Sequence, residues 1–140
     1  MVCLGNICRS PMAEFMLRDA AASAGLAIEV ESAGVSAEVG RPATREARQV
    51  LAEIGVNGEG HVARMLTEEM LAEANLVLVA TDSLIRRVMQ FNNADASKTE
   101  LMLGDTDLSD PWGLSLEDYR DTARKLEPMV NRVIAAATAK

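Results

Sequence analysis

Aromatic side chains are nearly absent: Phe15, Phe91, Trp112 and Tyr119 are the only four in 140 residues. A core must therefore be assembled from Ala, Val, Leu, Ile and Met, with the eight methionines serving mostly as pliable filler. Histidine occurs once, at His61, and cysteine twice, at Cys3 and Cys8, so the ligand supply for a metal is poor and neither metal nor other cofactor is expected. Positive charge is also in deficit. The formal net charge of -7 argues against nucleic acid or an anionic membrane as a general partner, because phosphate backbones demand a basic face. It leaves room for a phosphorylated substrate, since one arginine and a few backbone N–H groups can bind an anion within an acidic surface. No apolar run reaches membrane-spanning length and no signal-peptide pattern is visible, which implies a cytoplasmic location. Two cysteines within one short loop fit the same reducing compartment. Internal repeats, low-complexity blocks and linkers are missing as well, so residues 1–140 read as one domain, long enough to bury about two thirds of its unfolded surface.

What is present begins with Cys3-Leu4-Gly5-Asn6-Ile7-Cys8-Arg9-Ser10-Pro11. Gly5 and Asn6 tolerate the backbone angles of a tight loop, and Pro11 is at home in a first helical turn, so the segment reads as strand, loop, helix. Such a loop turns successive N–H groups inward, and the following helix adds its positive end. A phosphate dianion fits that cradle. The same field favours the thiolate of Cys3 as a nucleophile, while the planar fork of Arg9 matches two phosphate oxygens.

Down the chain, residues 11 to 25 carry Met12, Phe15, Met16, Ala20 and Ala24 at helical spacing, with Gly25 as a stop. Residues 27 to 32 alternate like a strand. A helix is expected from about Ala43 to Ile54, with Ala47, Val50, Leu51 and Ile54 on one face. Thr67 is placed to cap a short helix, and Leu76–Ala80 is a continuous apolar run suited to a buried parallel strand. Thr81, Asp82 and Ser83 open a further helix whose Arg86 and Arg87 face outward. Residues 99 to 103 give another strand, and 115 to 138 a long last helix. Alternating strands and helices imply an α/β fold: a four-stranded, mostly parallel sheet in three layers with helices on both faces. The acidic stretch Gly104–Gly113 then emerges at the carboxyl edge of the sheet, as the Cys3 loop does, so the two can meet.

The run Val-Cys-Leu-Gly-Asn-Ile-Cys-Arg-Ser-Pro-Met-Ala-Glu at residues 2–14 closely resembles the signature of the low-molecular-weight protein tyrosine phosphatases. That resemblance implies Cys3 as the nucleophile that forms a phosphocysteine, and Arg9 as the binder of phosphate and transition state. It also implies that Ser10 stabilises the thiolate, and that Asn6 holds a phosphate loop formed by Leu4, Gly5, Asn6, Ile7, Cys8 and Ser10. Ser32-Ala33-Gly34 and His61-Val62-Ala63-Arg64 match two further family segments, in which Ser32 would hydrogen-bond Asn6 and His61 would support the loop from beneath. Asp110-Pro111 followed by an aromatic matches the family's general-acid motif, with Trp112 as a wall for a substrate ring. The implied partner is a protein bearing phosphotyrosine. Three departures stand out: residues 35–41 lack the aromatic that many members carry, Trp112-Gly113 replaces a tyrosine pair that can be phosphorylated, and only Met1 and Val2 precede Cys3 where members have a longer strand.

Several readings stay open on the sequence. A thiol-dependent arsenate reductase shares the cradle but needs further cysteines outside the loop, and this chain has none. A protein arginine phosphatase resembles it too, usually with threonine where Ile7 stands; a branched aliphatic there favours a flat ring over a guanidinium. A catalytically silent phosphate-binding module is the reading from another class, should the short first strand disturb the loop. A Cys-His protease is disfavoured because the one histidine precedes a segment that matches the family's structural pattern. Cys8 is either a small buried thiol or the partner of Cys3 in a reversible disulfide that protects the nucleophile from over-oxidation.

Overall fold

The computed structural model describes residues 1–139. Four short parallel strands, β1 (Val2–Cys3), β2 (Ala33–Gly34), β3 (Val77–Val79) and β4 (Thr99–Leu101), line up in the order β2-β1-β3-β4. Five helices connect or flank them: α1 (Arg9–Ser23), α2 (Arg45–Glu53), α3 (Glu68–Glu73), α4 (Asp82–Val88) and α5 (Leu116–Thr138). The order reverses direction at β1, so the chain leaves neighbouring strands β1 and β3 toward different parts of the molecule and opens a crevice at their carboxyl ends. Cys3 ends β1 at that crevice.

Short strands suffice because every residue of the two central ones is buried, and α1, α2 and α5 pack on one another around Met12, Leu51, Leu126 and Met129. Met102 fills the same interior without contact with solvent, which is the filling role expected of the methionines. The helices start where their sequence says they should. Thr44, Thr67 and Thr81 each accept a hydrogen bond from the N–H three residues on, and Ser115 forms a reciprocal capping box with Asp118 at the start of α5.

Three local expectations need correction. Residues 27–32 keep the in-and-out burial of a strand but join no ladder: the Glu31 carbonyl accepts one hydrogen bond from the Met1 amino group at 2.9 Å, and the partners of Val2 and Cys3 are Ala33 and Gly34. Ile54 is half exposed and Ala24 exposed, each having become the terminal cap of its helix and rotated clear of the core. The last strand stops at Leu101, where Gly104 bridges back to it and closes a turn.

Candidate active site

The loop from Cys3 to Arg9 is organised by Asn6. Asn6 is fully buried and adopts φ 58°, a left-handed conformation that an uncompensated non-glycine residue avoids. Compensation comes from saturating its polar groups. Its Nδ2 donates to Ser10 Oγ at 2.8 Å and Ser32 Oγ at 2.9 Å, and its Oδ1 accepts the Arg64 N–H at 2.9 Å. His61 Nε2, buried against the edge of Phe15, donates to the Asn6 carbonyl at 2.7 Å.

These bonds set the direction of the next ones. An amide nitrogen can only donate, so Ser10 Oγ accepts from Asn6 and its own proton is free for Cys3 Sγ, 2.9 Å away. By the same logic Ser32 Oγ accepts from Asn6 and donates to Glu14, a 6% exposed carboxylate that Arg18 also holds. Gly34 lets the loop sit this close to β2: a Cβ there would lie 2.5 Å from the Leu4 carbonyl oxygen and 3.1 Å from the Asn6 nitrogen.

Arg9 opens α1 and is buried, 5% exposed. Nη1 donates to the Leu108 carbonyl at 2.9 Å, Nη2 lies 3.5 Å from Asp110 Oδ2, and Nε is buried with no hydrogen-bond partner among the described residues. A buried donor left unpaired costs about 1–3 kcal/mol, an arrangement kept where an anion can complete it. The fork edge made by Nε and Nη2 fits two oxygens of a tetrahedral oxyanion.

The acidic loop reaches this point because Leu108 plugs it in. Leu108 is buried and its N–H bonds the Ala80 carbonyl at 2.9 Å, while Asp107 accepts the Asp82 N–H at the start of α4. Asp110 is held half-exposed, its Oδ1 accepting the Trp112 N–H at 3.1 Å. Trp112 stands 61% exposed beyond it. Of the loop residues, Leu4 reaches solvent at 40%, whereas Ile7 is buried and lends its carbonyl to the Thr44 N–H. Cys3 and Cys8 are both free thiols, and burial pushes the Cys8 thiol up to about 11.

The structure thus brings together Cys3, Asn6, Arg9, Ser10, Ser32, His61 and Asp110, all singled out on the sequence. It adds Glu14, Gly34, Thr44, Leu108 and Tyr119, which were not. Gly34 and Glu14 lay inside recognised segments; the contacts of the others join positions up to 111 residues apart and leave no local pattern. No group of three or more His, Cys, Asp or Glu side chains among the described residues is arranged to hold a metal ion.

A buried thiol and guanidinium on one loop, at the carboxyl edge of a parallel sheet, with a carboxylate delivered from a second loop, is an arrangement chemically suited to thiol-based phosphoryl transfer. The family model for low molecular weight phosphotyrosine protein phosphatase matches residues 1–140, and the chain belongs to that family. It is 35% identical over 139 residues to a protein-arginine-phosphatase of Bacillus subtilis, covering 94% of this chain and 91% of the relative. It is likewise 35% identical over 130 residues to the low molecular weight protein-tyrosine-phosphatase Etp of Escherichia coli, covering 91% and 85%. Among solved structures, a low molecular weight protein tyrosine phosphatase from T. tengcongensis superposes with a TM-score of 0.92 at 37% identity, covering 96% of this chain and 95% of the other. A mutant of the YwlE arginine phosphatase with a phosphorylated active-site serine superposes with a TM-score of 0.91 at 33% identity, covering 98% and 93%.

Proposed function

We propose that the chain hydrolyses phosphotyrosine on cytoplasmic proteins through a phosphocysteine intermediate. The observation that carries this is the 3.5 Å contact between Arg9 and Asp110, which sets the cation for the transferred group beside a carboxyl group from a loop a hundred residues away. The thiolate of Cys3 attacks phosphorus while the bond to the tyrosine oxygen breaks, and Asp110 gives its proton to the departing phenoxide. Arg9 and the loop N–H groups hold the equatorial oxygens throughout. Asp110, now a carboxylate, takes a proton from water; the water oxygen attacks phosphorus, the S–P bond breaks, and phosphate leaves with the thiolate restored. Ser10 steadies the thiolate before attack and again as the S–P bond breaks, and Asn6, Ser32 and His61 keep the loop in shape. Exposed Trp112 supplies a face for the substrate ring. No described helix is long and apolar enough to cross a membrane, and two free thiols sit well in a reducing cytoplasm.

The test is hydrolysis of p-nitrophenyl phosphate by wild type, Cys3→Ser and Asp110→Asn. Wild type turns over, Cys3→Ser is inactive, and Asp110→Asn is slowed at least ~100-fold, within the range general acid catalysis contributes. Binding of phosphate by a folded but inactive wild type refutes the enzyme reading and leaves a binding module.

Phosphoarginine is the second substrate reading, favoured by the arginine phosphatase relatives that match over nearly the whole chain. Ile7 speaks for the flat ring. Comparing phosphotyrosine and phosphoarginine peptides on wild type and Ile7→Thr decides the matter: a swap that leaves the preference unmoved removes Ile7 as the discriminator.

A further inference from the structure

Cys8 takes no part in the transfer just described, yet its side chain is buried and engaged. Its sulfur lies 3.3 Å from the Tyr119 hydroxyl and 3.8 Å from Thr44 Oγ1, and those two oxygens are 3.1 Å apart. The direction of this chain follows from its first donor. The Ala47 backbone N–H can only donate, and Thr44 Oγ1 accepts it at 3.3 Å as the cap of α2. Thr44 Oγ1 then donates its proton to the Tyr119 hydroxyl, and Tyr119 has its own for Cys8. Meanwhile the Thr44 backbone N–H donates to the Ile7 carbonyl at 2.9 Å. Two successive loop residues, Ile7 by its carbonyl and Cys8 by its sulfur, are thereby tied to one threonine and one tyrosine.

Tyr119 is 1% exposed and sits in the first turns of α5, the helix that directly follows the acidic loop. Asn6 and its partners fix the middle of the Cys3–Arg9 loop from the side of β2 and the His61 segment. Nothing in that set reaches Cys8, the residue from which α1 departs with an irregular backbone and no side-chain cap. The Cys8 carbonyl accepts the Met12 N–H at 3.0 Å, which ties it to α1 alone; without a side-chain tie to α2 and α5, the last part of the loop would be free to move with α1 by tenths of an ångström. Such shifts matter little for binding a ground-state phosphate and much for donors aimed at a transition state.

We propose that Tyr119, fed by Thr44, is a positioning residue of this site: its phenol holds Cys8, and with it the adjoining loop N–H groups, in the register that phosphoryl transfer requires. The proposal rests on the phosphatase reading above and assigns a second, separate brace to the loop beside the one centred on Asn6.

Tyr119→Phe keeps the ring and deletes only the donor. It lowers kcat on p-nitrophenyl phosphate by about 5- to 20-fold, the equivalent of one or two ordinary hydrogen bonds, with KM changed less than about twofold. Inhibition by vanadate, a transition-state mimic, weakens in the same proportion. Thr44→Val does likewise, Thr44→Ser restores activity, and the Thr44→Val/Tyr119→Phe pair is no slower than Tyr119→Phe alone, because both act through one chain. An activity-independent arm uses the Cys3→Ser background, where adding Tyr119→Phe speeds alkylation of Cys8 by iodoacetamide. Unchanged kcat in Tyr119→Phe, multiplicative effects in the pair, or unchanged protection of Cys8 each overturn the proposal. Should wild type fail to turn over, the phosphatase reading falls by itself, and the alkylation arm alone decides whether Tyr119 holds Cys8.

Discussion

Gly34→Ala is the smallest change that should disable this site without touching a polar group. Gly34 has ordinary negative φ, so alanine brings no backbone strain of its own; the whole effect is steric. Its Cβ would stand 2.5 Å from the Leu4 carbonyl oxygen, 3.1 Å from the Asn6 nitrogen and 3.2 Å from the Ala37 Cα. All three are backbone atoms, so no flexible side chain can swing aside. Relief to an ordinary contact needs a displacement of about 1 Å, and β2 is pinned by the bonds from the Gly34 N–H to Arg64 and from the Leu66 N–H to Gly34, so the loop must give way. Overpacking of this kind costs about 1–3 kcal/mol. For a chain of this size that is a fall in Tm of about 3–12 °C. The loss in rate is larger, since an error of about 1 Å in a catalytic loop is worth on the order of 100-fold. Thermal unfolding and p-nitrophenyl phosphate kinetics on the same preparation measure both. A Gly34→Ala protein with wild-type Tm and kcat would mean the loop does not depend on this close approach, and the account of how β2 shapes the site would be wrong.

How much of this was legible beforehand depended on distance along the chain. The Cys3–Pro11 run announced its loop because glycine, asparagine, arginine and proline act within a few residues of one another, and the hydroxyl cap at Thr67 was local for the same reason. Asp110 was reachable through topology: both loops had to emerge at the carboxyl edge of a parallel sheet, and the Arg9 contact bears that out. The strand at 27–32 failed because alternation reports which face is buried, and pairing needs a neighbour; β1 provides one only for Ala33 and Gly34. The glycine at position 34 read as the end of a motif, while its necessity lies in a carbonyl thirty residues earlier. Tyr119 drew no reading beyond its place among the four aromatics, since nothing in its own neighbourhood tells that its hydroxyl meets a cysteine 111 residues back.

Two further outcomes follow from the buried polar groups. Asn6→Ala removes the partner of Ser10, Ser32 and the Arg64 N–H at once and leaves alanine at φ 58°; stability falls by about 2–4 kcal/mol, read from urea unfolding, and kcat falls with it. Retention of wild-type stability would show that the loop finds its shape without that amide. Cys8 makes the pH dependence specific. Burial lifts its thiol from near 9 to about 11, so between those values the folded chain keeps a proton that the unfolded chain has lost. The unfolded state then binds fewer protons, and stability declines as pH rises: the contribution is intact below about pH 8.5 and lost progressively toward pH 11, at a cost of about 2–3 kcal/mol. Tyr119, whose phenol is also raised by burial and by its bond to Cys8, adds decline of the same sign at higher pH. Urea unfolding of wild type and Cys8→Ala at pH 8, 9.5 and 11 separates the two, because the variant loses the first part of the slope and keeps the rest. An identical slope in both proteins would mean that Cys8 is not sealed from solvent in the folded state, and the tie from Tyr119 would lose its physical basis.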